Sequence, residues 1–136
     1  MKISIITVCF NSEVTIEQTI QSVITQSYEN IEYIIVDGNS SDNTLEIIKK
    51  YDQSISHWIS EPDRGLYDAM NKGIQLASGE LIGIINSDDF YMDISVVDEV
   101  VNTIIAKNVD SLYTDLYLVD SVDTNKVIRN CTYKDF

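Results

Sequence analysis

Histidine is nearly absent from this chain, His57 being the only one, so neither a His-based zinc site nor a Ser-His-Asp triad can be built from it. Any general base must therefore be a carboxylate. Cysteine is as scarce: Cys9 lies inside an apolar run and Cys131 near the end, too few for a disulfide scaffold or a thiolate metal cage. Basic residues are in deficit, nine Lys and Arg against 22 Asp and Glu, and the formal charge of -13 argues against binding nucleic acid through counterion release. A small anion could still bind if a divalent cation or a few placed basic groups neutralised it locally. No run approaches the roughly 20 apolar residues that a membrane span needs. The opening MKISIITVCFN enters a strand pattern with no cleavage site, which predicts a soluble, cytoplasmic chain. Internal repeats, low-complexity tracts and linkers are also missing, and 136 residues with 44% hydrophobic content suit one domain over 1–136.

What is present is an alternation of strand and helix patterns. Apolar runs rich in Ile and Val occupy Ile3 to Cys9, Ile31 to Val36 and Leu81 to Ile85, with a shorter run from His57 to Ser60. Their hydrophobicity is continuous rather than alternating, which predicts strands covered on both faces. Ile16, Ile20, Val23 and Ile24 recur at helical spacing, with Ser12 placed to cap that helix. Ser41 or Asp42 can cap a second helix reaching Lys50. A third stripe joins Leu66, Ala69, Met70, Gly73, Ile74 and Ala77, with Gly79 expected to end it and Gly73 expected to allow close approach to the sheet. A fourth helix is predicted over Ser95 to Lys107 and a further strand over Ser111 to Val119. The order implies an α/β fold, a Rossmann-like and mostly parallel sheet flanked by helices, whose ligands bind at the carboxyl ends of the strands.

Those ends are polar. In DGNSSDNT, Asn39 tolerates a left-handed backbone and Ser40, Ser41 and Asp42 can satisfy the amides of the next helix. A plain turn would look much the same. Asp37 differs, because it ends a buried strand where a carboxylate needs a donor. In EPDRG, Asp63 and Arg64 present an acceptor and a forked donor just before a helix. Between Ser60 and Phe90 the only basic residues are Arg64 and Lys72; Arg64 is the better diphosphate ligand, and Lys72 fits a solvated outer face. In LIGIINSDDF, Asp88 and Asp89 follow directly on a buried strand. Paired hard oxygens at such a rim suit Mg2+ or Mn2+, which takes one or two carboxylates and completes its shell with water and substrate phosphates. An isolated DD pair would more simply be a loop; its position at a strand end is what favours a site.

ITVCFNS, IIVDGNSSDNT, EPDRGLYDAMNKGI and ASGELIGIINSDD together resemble, in order and spacing, the family 2 glycosyltransferases of GT-A fold. The resemblance runs from Lys2 to about Asp89, and SLYTDLYLVD is similar to the next family segment. It implies an inverting transferase that uses Mg2+ or Mn2+ to move a sugar from a nucleotide diphosphate donor, usually a UDP-sugar, to a saccharide or lipid-linked acceptor in bacterial surface-polysaccharide synthesis. It also implies that Asp37 and Asp63 contact the base or ribose, Arg64 the nucleotide and Asp88 the metal and donor, with Asp89 a neighbouring metal ligand. Asn86 and Gly38 stand where many relatives carry aspartates. On this resemblance 1–106 is the nucleotide-sugar-binding half and 107–136 the start of an incomplete acceptor half. The catalytic base is then expected beyond Phe136, and Asp115 could line the donor-sugar pocket. The whole is expected in the cytoplasm or against the inner face of the membrane.

Two other readings use the same residues. One is a non-catalytic nucleotide-sugar-binding module, or a fragment lacking the base. The other is a phosphoacceptor receiver domain, which also gathers acids at parallel strand ends; against it, the DD pair follows a late strand and no early acidic pair is present.

Overall fold

The computed structural model describes residues 1–132, and the chain divides into two compact units, Met1–Val101 and Asn102–Phe136. The first unit carries a four-stranded, wholly parallel sheet in the order β3-β2-β1-β4, formed by β1 (Ile3–Cys9), β2 (Ile31–Asp37), β3 (His57–Ser60) and β4 (Leu81–Asn86). Helices α1 (Ile16–Ile24), α2 (Thr44–Lys50) and α3 (Leu66–Leu76) connect these strands in turn, and α4 (Val96–Lys107) follows β4. This is the α/β architecture that the continuous apolar runs predict.

Strand alternation sorts the core into two layers. Ile3, Ile5 and Cys9 of β1, with Tyr33 and Ile35 of β2, face Ile16, Ile20 and Val23 of α1, Ile47 and Ile48 of α2 and Val97 and Val101 of α4. Ile6, Val8, Ile34 and Val36 face the opposite way, onto Ala69 and the partly buried Met70 and Ala77. Every residue of β1 is buried, as a central strand covered on both faces requires. On the second face α3 lies against the strand at Gly73, where an added Cβ would run into the Ile6 side chain. That is the close approach expected of this glycine.

Several local expectations give way to longer-range pairings. Ser12 does not cap α1 with its side chain: its carbonyl accepts from Thr15 and Ile16, and its hydroxyl pairs with Ser87 at 2.8 Å. Helix α3 stops at Leu76, with Ala77 already extended, rather than running to Gly79. Gly79 instead packs on β1, donating its N–H to Ser4 Oγ at 2.8 Å, and a Cβ there would lie 2.6 Å from the Ser4 nitrogen. Asp42 does serve α2, accepting from the Thr44 N–H at 3.0 Å.

The second unit contains an antiparallel hairpin of β5 (Leu116–Val119) and β6 (Val127–Cys131). The strand expected from Ser111 begins only at Leu116, where pairing with Cys131 starts. Strand β6 was not expected at all, because VIRNC carries no sustained apolar run and four of its five residues are exposed.

Candidate functional site

A cleft of about 530 Å³ opens at the carboxyl ends of β1 and β4, beside the start of α3. Three segments line it: Phe10 and Ser12 after β1, Asp63, Gly65 and Leu66 at the entry to α3, and Asn86, Ser87 and Asp88 at the end of β4. Parallel pairing creates this convergence, since register aligns Val8 of β1 with both Val36 and Asn86. The polar strand ends are thus delivered to one edge of the sheet.

The NSDD turn is anchored from α1. The Asp89 N–H donates to the Asn86 carbonyl, while the buried Thr19 hydroxyl reaches the carbonyls of Ser87 and Asp89 at 3.0 and 2.7 Å. Asp88 and Asp89 are left exposed, and the Asn86 amide donates to Asp89 at 3.4 Å. Partial desolvation and the charge of Asp88 push the Asp89 carboxyl above its ordinary range, against the opposing effect of Asn86. Two carboxylates held this closely favour an added positive charge. Among the described residues, Asn86 Oδ1 is the one buried side-chain oxygen without a hydrogen-bond donor, and it stands two residues from Asp88. No cluster of three His, Cys, Asp or Glu side chains among the described residues forms a metal cage. The donor set of two carboxylates and a neutral amide oxygen fits a hard, water-retaining divalent cation.

Of the residues singled out in the sequence, Asp63 and Asp88 line the cleft. Asp37 does not. It is fully buried, and its carboxylate accepts from the Ser40 N–H and hydroxyl and from the Ser60 hydroxyl at 2.6 Å. Its oxygens join the β2–α2 loop to the end of β3. Arg64 lies between two lining residues, exposed, and forms no ion pair among the described residues. Lys72 is partly exposed, and its ammonium is engaged by its own loop and helix: it donates to the Pro62 carbonyl at 2.8 Å and pairs with Glu61 at 2.9 Å and Asp68 at 3.7 Å. The Glu61 hydrogen bond, foremost among its carboxylate neighbours, raises its pKa. Lys72 therefore clamps the EPDRG loop. Asp115 belongs to the second unit and is exposed.

Phe10 was not singled out in the sequence. Its ring is 62% exposed at the cleft wall, although it directly follows a strand that is buried throughout. An aromatic placed between a buried run and the polar pair Asn11 and Ser12 was the available signal. Asn11 has φ +50°, and its side chain accepts from the Ser41 N–H at 2.9 Å while its own N–H donates to Ser40 Oγ at 2.8 Å. Asn39 sits at φ +66°, the left-handed conformation expected of it. The first two loops are thereby tied together behind the cleft.

Comparison with known proteins agrees with this geometry. The family model for glycosyl transferase family 2 matches residues 4–133. An uncharacterized glycosyltransferase of Mycobacterium tuberculosis is 38% identical over 106 residues, covering 77% of this chain and 40% of that protein. The Escherichia coli UDP-Glc:alpha-D-GlcNAc-diphosphoundecaprenol beta-1,3-glucosyltransferase WfgD is 28% identical, over 95% of this chain and 56% of its own length. Among solved structures, residues 1–349 of S. aureus TarS in complex with UDP-GlcNAc superpose with a TM-score of 0.72 at 26% identity, covering 79% of this chain and 32% of TarS 1–349. The chain thus spans between about a third and just over half of these longer proteins.

Proposed function

The chain belongs to glycosyl transferase family 2, and on that premise we propose that it is the donor-binding part of an inverting glycosyltransferase. Its donor is a nucleotide diphosphate sugar, a UDP-sugar by preference, and its acceptor a saccharide or a lipid-linked saccharide in bacterial surface-polysaccharide assembly. The single observation that carries this reading is the acidic turn closing the cleft, where Asp88 and Asp89 stand beside the unpartnered Asn86 oxygen. That turn is suited to hold Mg2+ or Mn2+ through Asp88 and Asp89, with the Asn86 amide oxygen as a neutral neighbour. When bound, such a cation supplies positive charge for the diphosphate as the sugar departs.

The chain's own residues do the rest of the binding. Phe10 offers an exposed ring on which a base can lie, and Asp63 an acceptor in the same cleft. Arg64, next to that acceptor, is placed to swing onto the diphosphate, as a planar forked donor suits phosphate oxygens. Asp37 stiffens the loop behind Asp63, and Lys72 holds the loop that carries it. Proton removal from the acceptor hydroxyl is assigned to a carboxylate of the acceptor-binding half. No helix among the described residues is long and apolar enough to cross a membrane.

Calorimetric titration of UDP, with and without Mn2+, tests the reading. Binding that strengthens with Mn2+ is expected; absence of binding under both conditions contradicts it. Hydrolysis of a UDP-sugar by the same sample would show a competent transferase site, whereas binding without turnover would make the chain a nucleotide-sugar-binding module.

A further inference from the structure

Residues 87–95 link β4 to α4 without a helix or strand of their own. Backbone groups in such a stretch need partners from elsewhere, and α1 with the turn after it supplies them. Thr19 takes the carbonyls of Ser87 and Asp89. Ser22 lies one turn further along α1, where its hydroxyl donates to the Thr19 carbonyl at 2.8 Å and accepts from the Tyr91 N–H at 3.1 Å. Beyond the helix, Gln26 Nε2 donates to the carbonyls of Asp93 at 2.8 Å and Ser22 at 3.0 Å. Its Oε1 accepts from the Val97 N–H at 3.0 Å, one of the first-turn amides that α4 cannot satisfy itself. Gln26 thus uses both ends of its amide, nitrogen donating and oxygen accepting. Ser27 ends the series, its N–H and hydroxyl donating to the Ile94 carbonyl at 2.7 and 3.0 Å.

We propose that Ser22 and Gln26 are positioning residues for the turn after β4: by fixing the stretch that leads from it to α4, they keep Asp88 and Asp89 close enough to share one divalent cation. The proposal rests on the reading of Asp88 and Asp89 as cation ligands, and it assigns their geometry to side chains that do not line the cleft. Without a cation the two carboxylates repel, and a slack connection would let them move apart. A turn held closed beforehand loses less freedom when the cation arrives, so Mn2+ and the diphosphate bind more tightly. Thr19 fixes the turn itself, and the partly buried Tyr91 packs against the core on the same side of the sheet. A ring contact sets the depth of the stretch. The hydrogen bonds from Ser22 and Gln26 set its direction.

The test is calorimetric titration of UDP with and without Mn2+ for the unaltered chain, Ser22→Ala and Gln26→Glu, with melting temperatures recorded in parallel. Alanine is the best helix former, so Ser22→Ala keeps α1. Glutamate can still accept from the Val97 N–H, and its charge suits the start of a helix, but it cannot donate to the Asp93 carbonyl. Each variant should lose roughly tenfold of the Mn2+ enhancement of UDP affinity, with the affinity measured without Mn2+ unchanged. A purely structural pair would lower the melting temperature and leave the enhancement intact, so full enhancement in either folded variant overturns the proposal. Equal loss of UDP affinity with and without Mn2+ also overturns it, since the damage would then be general. Should Gln26→Glu fail to fold, Ser22→Ala decides alone. If the unaltered chain binds UDP no better with Mn2+, the cation reading itself fails and the proposal with it.

Discussion

The Thr19 hydroxyl, buried on α1, donates into the turn after β4 and lies 2.7 Å from the carbonyl of Asp89. A single side chain on the first helix thus sets the backbone that presents Asp88 and Asp89. Replacing it with the near-isosteric valine removes the donor but keeps the volume. Thr19→Val should cost about 1–2 kcal/mol of stability, the range for a lost buried hydrogen bond. It should also reduce Mn2+-dependent UDP affinity by roughly tenfold, as supporting contacts of metal ligands do. Calorimetry with and without Mn2+ separates the two effects: a purely structural Thr19 would lower the melting temperature and leave the Mn2+ enhancement unchanged.

Glu32 anchors the opposite end of the sheet. It is almost fully buried, and its carboxylate accepts from Lys2 Nζ at 2.7 Å, from the Ser4 hydroxyl, and from the Ser78 N–H and hydroxyl at 2.7 and 2.6 Å. Burial alone would raise its pKa, but these bonds outweigh burial and hold the carboxyl well below the ordinary value of 4.5. Between the folded and unfolded values the unfolded chain binds the extra proton, so stability rises with pH there. The contribution is complete above about pH 5 and is lost as the pH falls further. Glu32→Gln should be less stable than the unaltered chain at pH 7 by about 2–3 kcal/mol. Its melting temperature should also fall less steeply from pH 5 to pH 3; parallel pH profiles would contradict the assignment.

Gly73 presents opposed effects of different size. Alanine would improve helix propensity by about 1 kcal/mol. The added methyl, however, would meet Cγ2 of Ile6, a branched side chain that is wholly buried and cannot move aside. Overpacking of this kind costs about 1–3 kcal/mol. Gly73→Ala is therefore expected to lower the denaturation midpoint, and because α3 carries Leu66 and Ala69 into the cleft wall, to weaken UDP binding as well. A higher midpoint would show that α3 can lift from the sheet without loss.

Legibility of the sequence followed the range over which each feature is determined. The β1 run, the helical spacing of Ile16, Ile20 and Val23, the left-handed Asn39 and the close-packed Gly73 are local signals, and the structure reproduces them. The Ser12–Ser87 pair spans 75 residues, and the use of Asp37 depends on parallel register placing Ser60 opposite it. Neither separation nor register can be read from a turn motif, so the partner of the Ser12 hydroxyl and the Ser60 partner of Asp37 are invisible locally. The same holds for the pairing of Lys72 with Glu61, which meets it only when the EPDRG loop folds back over α3, whereas Asp68 is its i,i+4 neighbour on that helix. Phe10 was locally visible as an aromatic after a buried strand, but only the cleft gives its exposure a meaning. The hairpin strand β6 lacked any apolar period to reveal it.

The central claim is that the turn after β4 holds a divalent cation which in turn holds a nucleotide diphosphate. The most direct measurement is UDP affinity as a function of Mn2+ for the unaltered chain and for Asp88→Asn, with melting temperatures recorded in parallel. The account predicts that Mn2+ strengthens UDP binding to the unaltered chain, and that Asp88→Asn loses this enhancement while its melting temperature stays close to the original, since Asp88 is exposed and makes no core contact. An Asp88→Asn protein whose UDP affinity responds to Mn2+ as the unaltered chain does would contradict it.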